Sequence, residues 1–191
     1  IVTMVFGNMD DKSGTGVVFS RNPSTGDDNL YGEYLPNAQG EDLVSGATTP
    51  RDISILSTMM PEVYNDLATT TKLLERHYRD IQDVEFTVER GKLFFLQTRS
   101  AKRSARAAIK TAVGFANEGL ITEKEAVLRV EPEQIYQLLL PRFDEVSMQK
   151  AKSNGKHLTT GIGASPGAAT GQIVFESNAA AELGSRGKRV V

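Results

Sequence analysis

Cysteine is absent from the 191 residues, which excludes disulfide bonds and thiolate zinc sites and weakly favours a reducing compartment. An excess of charge of one sign is missing as well. The 22 basic and 24 acidic side chains leave a formal net charge of -2, too little to serve as an electrostatic footprint for nucleic acid or for an anionic membrane surface. Any anion binding by this chain must therefore be local. No apolar run approaches the ~20 residues of a membrane helix, and the start at Ile1 lacks the charged-then-apolar pattern of a secretory signal. Internal repeats and low-complexity segments are missing too. What remains, with 39% hydrophobic residues, is long enough to bury a core and to hold one or two domains. Strand-like residues at both ends, Ile1 at one and Arg189-Val190-Val191 at the other, give the expectation of a piece cut from a longer cytoplasmic protein. A targeting signal in that parent would lie outside this sequence.

Three parts follow from the pattern. Up to about Arg99, β-rich runs alternate with turn signals: 1–6, 16–20, a turn at Asn22-Pro23-Ser24-Thr25-Gly26, 30–35 and 41–44. One helix interrupts them, with Pro61 suited to its first position and Val63, Leu67, Leu74 and Tyr78 on one face. The second part, from about Lys102 to Phe143, is predicted helical. Ala105, Ala107, Ala108 and Ala112 favour a helix that Gly119 stops, Thr122-Glu123-Lys124-Glu125 is a capping box, and Pro132 opens a further helix that Pro141 ends. The polar run 144–156 is the expected linker. The third part, 157–191, is rich in Gly, Ala and Ser, with strands predicted at 172–175 and at the end and a short helix near 179–183.

The hairpin that closes the first part carries the chemistry. Val84, Phe86, Val88, Phe94 and Leu96 occupy even positions, while Asp83, Glu85, Thr87, Gln97 and Arg99 occupy odd ones. Side chains alternate with period two, so both strands must bury the same parity. A two-residue turn at Arg90-Gly91 would set even positions against odd; the pattern therefore predicts a three-residue loop ending on a left-handed Gly91. That geometry gathers two carboxylates, an amide oxygen and a guanidinium on one surface, as magnesium and a polyphosphate require.

Asp83-x-Glu85-Phe86-Thr87, then Leu96-Gln97-Thr98-Arg99, then Lys102-Arg103 opening a helix, resembles the end of the ATP-grasp domain of the pyruvate, phosphate dikinase family. So do Gly7-Asn8-Met9-Asp10-Asp11-Lys12-Ser13-Gly14-Thr15-Gly16-Val17, Arg21-Asn22-Pro23-Ser24-Thr25-Gly26, Gly32-Glu33-Tyr34 and Asn37-Ala38-Gln39-Gly40-Glu41-Asp42. Downstream, 161–171 resembles the opening of the family's swivelling phosphohistidine domain. The resemblance implies an α+β fold: the C-terminal part of an ATP-grasp domain with an antiparallel sheet and helices over 1–100, a helical linker over 101–156, and the start of a β/β/α phosphohistidine domain over 157–191. It implies that Glu85 and Gln97 give oxygens to Mg2+ on ATP, that Asp83 and Arg99 line the nucleotide and phosphate pocket with Arg99 contacting phosphate, and that Thr15, Glu41 and Asp42 lie near the same pocket. The implied substrates are ATP or AMP and phosphate, with pyruvate and phosphoenolpyruvate held by domains outside this chain, no nucleic acid or membrane partner, and a homodimeric parent.

Several of these segments also have plainer readings. Ser13-Gly14-Thr15-Gly16 is either a phosphate-cradling loop or a hairpin turn; Glu41 and Asp42 are either pocket residues or a solvated turn; Arg21 contacts phosphate or braces the Asn22-Pro23 turn. Gly161-x-Gly163-x-x-x-Gly167 has one residue too many for a dinucleotide fingerprint, and Pro166 stands in its way. The family's phosphorylated histidine sits in a Gly-Gly-Met-Thr-Ser-His-Ala type of motif, which surrounds neither His77 nor His157. Related dikinases, such as phosphoenolpyruvate synthase and the glucan or antibiotic phosphotransferases, resemble Gln-Ala-Arg-Pro where this chain has Gln97-Thr98-Arg99-Ser100. A non-catalytic nucleotide-binding module is a third reading, opposed by the intact Glu85, Gln97 and Arg99.

Overall fold

The computed structural model describes residues 4–45, 49–159 and 167–191. By its internal contacts the chain forms two compact units, Ile1–Gln134 and Ile135–Val191. The region 101–156 expected as a helical linker is thus divided between them, and the polar run 144–156 falls in the second.

The first unit is built on an antiparallel sheet of order β3-β2-β1-β4-β5, with β1 at Gly14–Phe19, β2 at Tyr31–Pro36, β3 at Arg51–Asp52, β4 at Gln82–Glu89 and β5 at Lys92–Ser100. Helix α1, Gly40–Ser45, stands where the alternation predicted a β-run at 41–44. Met4–Phe6 form no regular strand, and residues 1–3 of that predicted run lie outside the described residues. A 3-10 turn at Ile53–Ile55 and helix α2, Leu56–Met59, lead into α3, Pro61–Tyr78.

One face of the sheet buries Val18, Tyr34, Val84, Phe86 and Val88 against Ile53, Leu56, Val63 and Leu67. Glycines 14 and 16 explain how tightly it closes. The Tyr34 and Phe86 rings stack at 6.2 Å, and a Cβ on Gly14 would fall 2.2 Å from the Tyr34 hydroxyl and one on Gly16 2.5 Å from the Phe86 ring. Both glycines are strand residues in β1, so Ser13-Gly14-Thr15-Gly16 is neither the loop nor the turn weighed from sequence. Ser13 alone belongs to a turn, its amide donating to the Asp10 carbonyl and its hydroxyl to the Asp10 carboxylate.

Helix α3 starts with Pro61 as predicted, and Val63 and Leu67 are buried. Its buried stripe then continues through Thr71 and Glu75, while Tyr78 is exposed. Helix α4, Ala105–Asn117, is capped by the Ser104 hydroxyl and stopped by Gly119 at φ +71°. Helix α5, Glu123–Leu128, opens on the predicted capping box of Thr122 and Glu125. Phe115, Ala112, Ile121 and Ala126 of this helical pair share a second core with Ile81, which precedes β4, and Ala101, which follows β5. These helices are therefore packed on the sheet. Helix α6, Pro132–Leu139, crosses the division between the units.

In the second unit α7, Glu145–Ser153, is capped by the Asp144 carboxylate, so much of the run expected as a linker is helical. Helix α8 spans Ser177–Ser185. The two strands predicted there reduce to a parallel bridge between Gln172 and Val190. None of the described residues of this unit is buried.

Candidate functional site

The β4–β5 hairpin corrects the turn argument. Glu89 pairs with Lys92, so the connection is two residues, Arg90 and Gly91, with φ of 50° and 78°. That is the doubly left-handed turn whose twist suits a hairpin. The Arg90 amide donates to the Ser13 hydroxyl at 3.0 Å and the Gly91 amide to the Lys12 carbonyl at 2.8 Å, which holds a non-glycine residue in this region. Gly91 has the expected positive φ, but the loop does not have the expected odd length.

Parity is restored elsewhere. Pairing runs in step from Glu89–Lys92 to Phe86–Phe95, then jumps to Glu85–Gln97. Leu96 is the extra residue of a β-bulge. Of the two β5 residues expected in the core, Phe94 lies opposite Thr87 on the other face and is half-buried, and Leu96 is 54% exposed. Leu93 packs against the core in their place. Beyond the bulge Gln97 stands opposite Glu85 and Arg99 opposite Asp83. Directly paired residues project to the same side, so the four polar residues share a face.

Arg99 links this face. Its Nε donates to Asp83 Oδ2 at 2.7 Å, and Nη2 lies 3.6 Å from Glu85 Oε1, an ion pair beyond hydrogen-bond length. The hydrogen bond it donates to Asp83 raises the Arg99 pKa above its ordinary value. Asp83 is 7% exposed, and its second oxygen, Oδ1, has no protein partner. Beside the face lies a concavity of about 620 Å³ lined by Thr15, Glu41, Glu85 and Arg99, with Val17, Leu43 and Leu96 as apolar walls. Thr15 is buried and spends its hydroxyl on the Phe86 carbonyl at 3.2 Å. Asp42 accepts from the Gln39 amide at 2.9 Å and fixes the start of α1, which presents Glu41. Sequence reasoning missed the three apolar walls. For Leu96 the alternation pointed the wrong way, because one inserted residue shifts everything after it.

A magnesium ion fits this donor set. Glu85 and Gln97, directly opposite each other in the ladder, both carry hard oxygens, and Asp83 Oδ1 is a buried carboxylate oxygen without a hydrogen-bond partner. Among the described residues no group of three or more His, Asp or Glu side chains is placed to hold a metal. A magnesium ion completed by phosphate oxygens and water needs only one or two protein carboxylates.

Arg21 is drawn among three carboxylates, Glu75, Glu118 and, at 3.8 Å, Asp28 beside the turn. It is 4% exposed, donates to Glu75 at 3.1 and 3.2 Å and to Glu118 at 2.7 Å, and lies 4.5 Å from the centre of the Phe115 ring. His77 packs edge-on against Tyr78. Of the glycine-rich motif at 161–171, residues 161–166 lie outside the described residues.

The chain has relatives among known proteins. Residues 57–118, which contain the whole hairpin, match the family model described as "Pyruvate phosphate dikinase, AMP/ATP-binding domain". The chain is 49% identical over all its 191 residues to the chloroplastic pyruvate, phosphate dikinase of Flaveria pringlei, of which it covers 20%. It is 48% identical, again over its whole length, to pyruvate, phosphate dikinase of Clostridium symbiosum, covering 21% of it, and 47% identical to that of Rhizobium meliloti, covering 22%. The chain thus spans about a fifth of the length of these relatives. It matches the AMP/ATP-binding region of the pyruvate, phosphate dikinases. Among the described residues no helix is long and apolar enough to cross a membrane.

Proposed function

We propose that this chain forms the metal- and phosphate-binding wall of an ATP site in a longer cytoplasmic phosphotransferase. The parent would convert ATP, phosphate and pyruvate reversibly into AMP, diphosphate and phosphoenolpyruvate, passing a phosphoryl group through a histidine outside this chain. The observation that carries the reading is the shared face of Asp83, Glu85, Gln97 and Arg99, which opens on a concavity and lies within the segment that matches the AMP/ATP-binding domain.

In this reading Glu85 and Gln97 hold Mg2+, which when bound offsets charge on the phosphates. Arg99 binds phosphate oxygens, and Asp83 keeps its guanidinium aimed by the hydrogen bond at Nε. Such parts suit phosphoryl transfer, whose catalysis is mostly positioning and electrostatics. Thr15 and Glu41 border the nucleotide, and Asp42 holds the turn that presents Glu41. Residues 1–100 belong to the ATP-grasp domain, 101–156 act as a helical connection and 157–191 begin the phosphohistidine domain of a homodimeric parent. Pyruvate and phosphoenolpyruvate bind in its other domains, so the isolated chain forms no phosphoenzyme.

The test uses the full-length parent. Glu85→Gln and Arg99→Ala should each lower phosphorylation of the enzyme from ATP by at least ~100-fold, because each removes a charge-assisted contact. Phosphorylation from phosphoenolpyruvate should be spared. Equal loss of both half-reactions would mean that these residues serve the fold and not the ATP site.

A further inference from the structure

Helix α4 turns a second set of residues toward a different cavity. Ala108, Thr111, Ala112 and Phe115 recur at three- and four-residue spacing, so they share one helix face, and all four are buried. Two alanines on that face leave space that larger side chains would fill. The result is a cavity of about 470 Å³, within the range of small-molecule sites and separate from the hairpin concavity. Thr111 is 1% exposed, and its hydroxyl has no hydrogen-bond partner. A buried hydroxyl left unpaired is costly, which makes it a mark of something that the protein alone does not supply.

The walls add positive charge. Arg103 and Arg129 line the cavity together with Ser100 and Asp80. Asp80 is engaged by Arg103 at 2.7 Å, so that pair is balanced. Arg129 gives one N–H to the Arg79 carbonyl at 2.5 Å. The acid facing it, Glu125, is turned to the Thr122 amide at 2.8 Å and to Arg79 at 3.5 Å. Glu125 therefore acts on Arg129 only at longer range; among the described residues Arg129 has no direct ion pair, and its planar fork matches a carboxylate or phosphate head.

We propose that this cavity binds a small organic oxyanion, its head on Arg129 and its apolar body along Ala108, Ala112 and Phe115, with the Thr111 hydroxyl as an internal donor. The site is independent of the nucleotide face. It requires no chemistry, only binding, and fits a regulatory metabolite.

The test is thermal unfolding of the 191-residue chain with phenyl phosphate, benzoate or inorganic phosphate at constant ionic strength. Phenyl phosphate or benzoate at ten times its Kd should raise the midpoint by ~3 °C, and whichever does so identifies the head group. The shift should persist in Arg99→Ala and vanish in Arg129→Gln and Thr111→Val. Val has the shape of Thr, so Thr111→Val should fold even if Arg129→Gln does not. A shift that survives in Thr111→Val makes the lone hydroxyl a packing defect and overturns the proposal. A shift lost in Arg99→Ala puts the anion on the hairpin face instead, and the absence of any shift with all three probes also refutes it.

Discussion

Replacing Arg21 with Met should destabilise the first unit more than any surface change to the nucleotide face. Arg21 and Glu75 are 4% and 2% exposed, and the pair is joined by two hydrogen bonds, 3.1 and 3.2 Å long. Burial works to lower the Arg21 pKa, but the hydrogen bonds it donates to Glu118 and Glu75 carry it above the ordinary arginine value, so the group stays charged. Removing one member of a buried pair costs about 3–5 kcal/mol, because the other is stranded. The lower end applies here: Glu75 keeps the Ser20 hydroxyl at 2.5 Å and Lys72 at 3.0 Å. A loss of ~3 kcal/mol lowers the midpoint of a chain this long by ~6–12 °C. Glu75→Leu should also destabilise, and Arg21→Met with Glu75→Leu should be ~2 kcal/mol better than the sum of the singles, since neither charge is then left alone. Urea unfolding followed by circular dichroism of all four proteins closes the cycle. A loss below ~1 kcal/mol in Arg21→Met refutes the reasoning, and a selective loss of ATP binding with stability intact would return Arg21 to phosphate.

Two further outcomes follow from the sheet. Burial pushes the Tyr34 phenol up to about 12, above its unfolded value; its contribution is therefore complete below pH ~10 and lost as pH rises through about 12. Its hydroxyl has no partner, so Tyr34→Phe should be neutral or stabilising at pH 7 and should lessen the alkaline loss; an unchanged alkaline profile in stability measured against pH would oppose this. Deleting Leu96 should leave a regular ladder in which Phe86 still faces Phe95, Glu85 still faces Gln97 and Asp83 still faces Arg99. Cross-strand NOEs that instead place Gln97 opposite Val84 would show that the bulge does not set the register.

Local signals were legible where local chemistry decides. Pro61, the Thr122 and Glu125 capping box and Gly119 act within one helical turn, and each sits where the sequence puts it. Helix α1 was misread because six residues are too few for a period to be distinct from alternation. The buried stripe of α3 was misread at Thr71 and Glu75 for a different reason. Polar residues enter a core when partners distant in sequence satisfy them, and Glu75 meets Ser20 and Arg21 across more than fifty positions. No local pattern carries that information.

The hairpin shows how a sound rule can reach the right face by the wrong path. Equal parity on both strands was a correct requirement, since Asp83, Glu85, Gln97 and Arg99 do share a side. An odd loop follows from that requirement only if the ladder is unbroken. In the structure an even turn and one bulge give the same parity sum, and the bulge places Leu96 on the rim of the concavity. The two solutions differ in what they do to the residues between turn and bulge. A three-residue loop would send Phe94 to the core; with the two-residue turn it lies opposite Thr87, on the side of the polar face, and Leu93 takes the core position. Apolar residues at Phe94 and Leu96 on a polar face are costly to solvate and useful to a ligand with an apolar part. The features that defeated the alternation rule are thus the ones that shape the proposed site, as expected where function overrides the local consistency of a fold.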